Sequence, residues 1–189
     1  MPKKESLLQD AALAIVVTPQ DTVLLVRRRD VPVWVLPGGG IENTESPELT
    51  AIRETFEESG IAIEVIDHVA TYFPKNKLSS TTHLFLCQPT GSVEMNIQDQ
   101  EISAAQFFSP SDLPPTLFFL HKTFIHEWKA ATMIPIMRVL TEVTYPALFR
   151  LLLIHPWWTI RYLWTRHRNT KSHLLSHAED GAKNCTKSR

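Results

Sequence analysis

Three carboxylates stand close together in the segment Arg53-Glu54-Thr55-Phe56-Glu57-Glu58. If the segment is helical, spacings of three and four put Glu54, Glu57 and Glu58 on one face. Crowded like charges repel, and Glu57 and Glu58 fall near the helix end where the dipole disfavours negative charge. A divalent cation reverses both penalties, and oxygen ligands suit Mg²⁺, Mn²⁺ or Ca²⁺ rather than zinc. The plain alternative is a solvated acidic face with Arg53 and Glu57 as an i,i+4 ion pair. Shortly upstream runs Gly38-Gly39-Gly40, half of the chain's six glycines. Glycine lets other groups approach the backbone closely, so the pairing of glycine run and acidic cluster points to a functional loop beside a site.

The elements that must position these groups follow from local signals. Ser46-Pro47-Glu48 reads as a helix start, with Ser46 as cap and Pro47 at the first helical position, and Gly60 reads as its stop. Within it Leu49, Ile52 and Phe56 recur at helical spacing and predict a core-facing stripe. Ala11–Thr18 and Thr22–Arg29 are apolar runs separated by Pro19-Gln20-Asp21, and predict a hairpin of buried strands. Pro32–Leu36, Ile61–Tyr72, Thr81–Cys87 and Ser103–Phe108 read as further strands, and Thr116–Thr132 as a second helix. Strands around an inserted helix indicate a mixed α/β or α+β domain over residues 8–130.

The spacing Gly38-Gly39, five residues, Glu45, seven residues, Arg53-Glu54-Thr55-Phe56-Glu57-Glu58-Ser59-Gly60-Ile61 resembles the box of the Nudix hydrolase family. It departs at Thr55, where members usually carry an aliphatic residue, and at Thr44, where many carry Gly. The strand Val33-Trp34-Val35-Leu36-Pro37 leads into the box, as in many members. The resemblance implies an α/β/α sandwich with a mixed sheet, and cleavage of a diphosphate bond in a nucleoside triphosphate or nucleoside diphosphate derivative. It also implies Mg²⁺, with Mn²⁺ as substitute, held by Glu54, Glu57, Glu58 and the Gly39 carbonyl. Glu54 or Glu57 would take the proton of the attacking water, and Arg53 would hold the acidic helix in register by pairing with Glu45 or a catalytic Glu. Some members add a carboxylate from a later loop, for which Glu101 is the best-placed candidate and the neutral amide of Gln106 a poor one. The resemblance places the substrate against the glycine run, including Gly38 and Gly40. The rival class is a non-catalytic nucleotide-binding regulatory module on the same scaffold, attached to a membrane surface.

Arg27-Arg28-Arg29 ends a strand just before the glycines. In alternating geometry at most two of the three share a face, so Arg27 and Arg29 are the pair that would contact phosphates; a solvated strand end is the alternative. Trp34, Tyr72, Phe73 and Phe85 could stack on a base or sit in the core. Cys87 lies in an apolar run and reads as a small core hydrophobe; the other cysteine, Cys185, is too distant in sequence to suggest a zinc cluster or disulfide framework, and a reducing cytoplasm fits.

Net charge is −1, which argues against a dedicated nucleic-acid binder. Its distribution is uneven, with 12 basic and 18 acidic residues up to position 160 and 7 basic and 2 acidic after it. Residues 1–7 read as a tail, 131–168 as an apolar, aromatic helical extension and 169–189 as a polar, basic, disordered tail. Residues 145–171 combine Trp157, Trp158 and Trp164 with Arg150, Arg161, Arg166, Arg168 and Lys171. Their uncharged runs are too short for a bilayer span of ~20 residues. Packing on the domain or in a homodimer, and peripheral contact with a membrane surface, are the two readings of that stretch.

Overall fold

The computed structural model describes residues 9–146, except 43, 77–78 and 132–134, together with residue 149. The chain divides into two units, Met1–Ala147 and Leu148–Arg189. The elements named here fall in the first. The second, with the aromatic and basic stretch after residue 146 and the tail 169–189, lies outside the described residues apart from residue 149, as do residues 1–8.

In chain order the elements are β1 (Ala11–Val16), β2 (Val23–Arg28), β3 (Trp34–Val35), β4 (Gly38–Gly40), α1 (Pro47–Ser59), β5 (Ile63–Pro74), β6 (Thr82–Pro89), β7 (Ile102–Phe108), α2 (Phe119–Ala130) and β8 (Ile136–Leu140). One mixed sheet has the order β4-β1-β6-β5-β8 and a second, smaller sheet the order β3-β2-β7. In the first, β1 pairs parallel with β6 and β5 parallel with β8, while β4 against β1 and β5 against β6 are antiparallel.

The expected hairpin of β1 and β2 is only a turn. Thr18 N–H donates to the Thr22 carbonyl and Val17 bridges Val23, after which the strands part into different sheets. The reason is burial. β1 is buried over Ala12–Val16 and β2 over Val23–Val26, and runs apolar on both faces belong at the centre of covered sheets. β1 therefore takes β4 and β6 on its edges, and β2 takes β3 and β7. Alternation along β1 then divides the core. Leu13 and Ile15 join Leu25, Tyr72, Phe124 and Ile125 between the sheets and α2. Ala12, Ala14 and Val16 join Leu24, Ala51, Phe85 and Cys87 under α1. Cys87 is the core hydrophobe expected, and burial pushes its thiol up to about 12.

Helix α1 starts and stops where its signals predict. The Ser46 side chain accepts the Leu49 N–H, and Gly60 closes the helix in the left-handed conformation. Its inward face differs from the apolar stripe expected: Leu49 and Phe56 are 56% and 43% exposed, while Thr50, Ala51, Thr55, Glu58 and Ser59 are buried. The helix lies against three glycines of β4 and the alanines of β1, so small side chains let it approach closely. Thr55, the departure from the usual aliphatic residue, fits because its hydroxyl donates to the Ala51 carbonyl at 2.7 Å.

Past residue 130 the sheet continues. Ile136–Leu140 forms β8 on the free edge of β5, where a helical extension was expected. Its side chains alternate, with Leu140 buried and Met137 and Val139 exposed, the period-2 pattern of a half-covered strand. Arg138 anchors it through ion pairs with Glu127 of α2 and with Glu142. Among the described residues no helix is long and apolar enough to cross a membrane.

The segment 96–99 forms a strap over the end of α1. Asn96 N–H donates to the Ser59 carbonyl, and both Gln98 and Asp99 N–H donate to that of Glu57. Gly60, at φ +79, has room for nothing larger: a Cβ there would lie 2.5 Å from the Asn96 carbonyl oxygen. Gly60→Ala is expected to destabilise the fold by about 1–3 kcal/mol, seen as a lower urea midpoint at unchanged slope.

Candidate active site

Strand β4 and the last two turns of α1 face each other. A Cβ on Gly38, at φ +144, would lie 2.2 Å from the Ala12 carbonyl oxygen, and one on Gly39 would lie 2.4 Å from Oε1 of Glu54. Only glycine lets the helix carboxylates rest directly on this backbone. The glycines are thus a paired strand, in register with Ala11, Ala12 and Leu13, rather than a loop. Gly38 gives its N–H to Oε2 of Glu58 at 2.9 Å, so that donor serves the helix. Gly40 lies under the Gln9 side chain, whose amide donates to the Ile41 carbonyl.

Arg53 is the hub of the acidic cluster. Its guanidinium holds Glu45 with two bonds, Nε to Oε1 at 2.8 Å and Nη2 to Oε2 at 2.9 Å. Nη1 reaches Glu54 at 2.9 Å and Glu57 at 3.3 Å. Thr50 adds a hydroxyl bond to Glu45. The Arg53 bond, then the Thr50 bond, hold the Glu45 carboxyl down at about 2. The acidic partners in turn raise the pKa of Arg53, with the Glu45 bond the largest cause.

Glu58 has the opposite environment. It is 7% exposed, and burial, reinforced by the charges of Glu54 and Asp99, pushes its carboxyl up to about 8 against the Gly38 bond. Glu54 is also raised, by burial first and then by Glu57 and Asp99, with Arg53 opposing. Two acids with raised pKa values therefore crowd one another beside the Gly39 backbone.

Raised carboxyl pKa values make a stability statement with a definite sign. Between the unfolded value of 4.5 and about 8 the folded state holds a proton on Glu58 that the unfolded chain has lost, so stability falls as pH rises through that window and levels above it. Chemical denaturation of the metal-free protein from pH 5 to 8.5 is expected to show this decline.

Among the described residues no three acidic, histidine or cysteine side chains already converge as a ligand set. Arg53 occupies Glu54 and Glu57, and Gly38 occupies Glu58. The donor chemistry nevertheless fits a hard divalent cation: carboxylate oxygens, those of Glu58 buried, crowded together next to glycine backbone.

The other expected residues are placed as follows. Arg27 and Arg29 are exposed, and Arg29 donates to the Gln100 and Ile102 carbonyls. Arg28, between them, is the arginine whose charge acts on Glu58; it is fixed by a two-bond pair with Asp30 at 2.7 and 2.8 Å. The alternation was legible, but a register shift between Arg27 and Arg28 in the pairing with β7 was not. Glu101 is turned toward Arg28 at 3.8 Å, with its side chain 55% exposed. Asp99, carried in by the strap, is the later-loop carboxylate whose charge bears on both Glu54 and Glu58. Its only sequence signal is an acidic residue in a polar loop. Of the aromatics, Tyr72 and Phe85 are core, Phe73 lies on the far strand end, and Trp34 is half-buried, edge-on to Phe108 at 4.9 Å. His121 of α2 accepts the Leu36 N–H, a contact that nothing in the sequence announces.

The chain is similar in sequence and fold to known proteins. A protein of Bacillus subtilis (strain 168) named "Putative 8-oxo-dGTP diphosphatase" is 34% identical over 118 residues, covering 62% of this chain and 78% of that protein. A MutT-like protein of Streptomyces ambofaciens is 37% identical over 100 residues, covering 52% of this chain and 62% of its own length. The crystal structure of an ADP-ribose pyrophosphatase from Streptococcus suis 89-1591 superimposes with a TM-score of 0.56 at 26% identity, covering 69% of this chain and 98% of that one. The Nudix domain of Shewanella oneidensis NrtR, crystallised with ADP ribose, gives 0.53 at 25% identity over 68% of this chain and 91% of its own. The profile of the NUDIX domain matches residues 7–128, and with the glycine strand, Arg53 hub and helix glutamates in place this chain belongs to the Nudix family of hydrolases, enzymes that cleave phosphoanhydride bonds.

Proposed function

We propose that the protein hydrolyses a diphosphate bond in a nucleoside triphosphate or another nucleoside diphosphate derivative, with Mg²⁺ as its working cation and Mn²⁺ as a substitute. The observation that carries this is the crowding of two carboxylates, the half-buried Glu54 and the buried Glu58, against the Gly38–Gly39 backbone. The relatives named for 8-oxo-dGTP and ADP-ribose hydrolysis support the substrate class.

The Gly39 carbonyl, Glu54 and Glu58 would hold the cation, with Asp99 from the strap as a further oxygen donor in place of Glu101. Glu57 joins the set by leaving Arg53, which it meets at the longest of that residue's bonds. When bound, the cation neutralises phosphate charge and lowers the pKa of an attacking water. Glu54 would take the proton of that water: burial raises its carboxyl above the usual range, and Arg53 at 2.9 Å fixes its rotamer. Arg28 offers the guanidinium for a substrate phosphate, with Asp30 fixing its plane. Arg53, saturated by carboxylates, orders the helix rather than touching the substrate.

The test is a metal-dependent screen of oxidised dNTPs, NTPs, ADP-ribose, nucleoside diphosphate sugars and dinucleoside polyphosphates with product identification. Turnover of at least one member with Mg²⁺, lost on chelation, is expected. Nucleotide binding with no turnover across the panel would instead favour a non-catalytic module.

A further inference from the structure

β3 and β4 belong to different sheets, yet only Leu36 and Pro37 join them. Pro37 has no N–H to donate. Its carbonyl accepts the Ala14 N–H at 2.9 Å, and the Leu36 N–H donates to Nδ1 of His121 at 2.7 Å. Leu36 is 1% exposed, so its amide has no water to turn to if that acceptor is lost.

His121 is built to accept. It stands in the first turn of α2, with its ring stacked on Phe124 at 5.8 Å and edge-on to Phe118 at 5.6 Å. An Nδ1 that accepts a hydrogen bond must be bare, which puts the ring proton on Nε2. Burial, then the charge of Arg28, keep the ring neutral and its pKa down at about 3. The residues just after this crossover are those beneath the carboxylates: Gly38 N–H meets Glu58 and Gly39 lies against Glu54.

We propose that His121 is a positioning residue of the active site: by fixing the Leu36 N–H, its Nδ1 sets where the Gly38–Gly39 backbone lies beneath Glu54 and Glu58. The proposal rests on the assignment of Gly39, Glu54 and Glu58 as the cation-binding set. The glycines lie on one sheet and the histidine on a helix, and the Leu36 hydrogen bond followed by the two-residue crossover joins them.

Three variants separate the hydrogen bond from packing. In His121→Asn the amide oxygen stands as many bonds from the backbone as Nδ1 does; in His121→Gln it stands one methylene further; His121→Phe keeps the ring without an acceptor. The readouts are hydrogen exchange of the Leu36 amide by NMR, Mn²⁺ affinity by electron paramagnetic resonance, and kcat and KM on the best substrate. The Phe and Gln variants are expected to exchange Leu36 quickly and to bind Mn²⁺ about 10–100-fold more weakly. Their kcat is expected to fall about 100-fold, with KM within about twofold. Asn restores most of each. Wild-type behaviour of His121→Phe, or Asn and Gln variants that cannot be told apart, overturns the proposal. If the Phe variant does not fold, the Asn–Gln comparison decides. A wild type that binds Mn²⁺ but turns over no nucleotide defeats the hydrolase reading alone, and the Mn²⁺ and amide readouts still judge His121. A wild type that binds no Mn²⁺ defeats both.

Discussion

Glu58→Gln is expected to lower kcat by about 10²–10⁴ through loss of a cation ligand while making the metal-free protein more stable at pH 8. Glutamine keeps the shape of the side chain, and its carbonyl can still accept the Gly38 N–H now received by Oε2. What it removes is a charge that the fold buries at 7% exposure beside Glu54 and Asp99. The wild-type carboxyl costs stability on the order of 1.4 kcal/mol for each unit by which its pKa is raised, once the pH passes that pKa. The variant should therefore lose the decline in stability between pH 5 and 8.5 along with its activity. Thermal melts at both pH values and steady-state kinetics with Mg²⁺ check the two halves. A carboxylate serving structure alone would show the reverse, with activity retained and stability lowered.

Arg53→Lys is the second large effect, with an expected loss of about 100-fold in kcat. One guanidinium spans Glu45, Glu54 and Glu57 through four bonds between 2.8 and 3.3 Å. An ammonium is a point charge without that planar fork, and cannot grip Glu45 with two parallel bonds while reaching Glu54. The Glu45 carboxyl, held at about 2 by Arg53, is expected to rise toward its ordinary value. Its stabilising contribution is present above pH 4.5 and fades as pH falls toward 2, so the variant should be weakened at neutral pH and barely so at pH 2. Activity near wild type, with the Glu45 titration unmoved in an NMR pH series, would contradict this reading.

Much of the site was legible because its signals are local. Ser46 and Gly60 announce the helix ends through their own backbone chemistry, and Glu54, Glu57 and Glu58 are neighbours by spacing alone. The face that α1 buries was not legible. A helical wheel weighs Leu49 and Phe56 as core, but the glycines and alanines opposite lie elsewhere in the chain and demand small side chains. Arg28 was missed for a related reason: alternation tells which residues share a face, and only the register with β7 tells which face meets Glu58. Asp99 and His121 reach the site through a strap and a helix whose positions depend on the whole fold. β8 was hidden because an apolar, aromatic stretch suggested a helical extension, while its partner on β5 lies more than sixty residues earlier.

The parting of β1 and β2 after their turn also has a kinetic side. A true hairpin could form early, within about 1–10 μs. Here β1 waits for β6, with Ala11 opposite Thr82, and β2 waits for β7, with Val23 opposite Phe108. At roughly 5–20 residues per second the ribosome takes about 4–16 s to go from the end of β2 to the end of β7. For most of that interval β1 and β2 have only the short strands β4 and β3 to pair with. Pairings this distant in sequence slow folding itself, so the nascent chain is a stronger candidate for chaperone capture and aggregation than the finished enzyme.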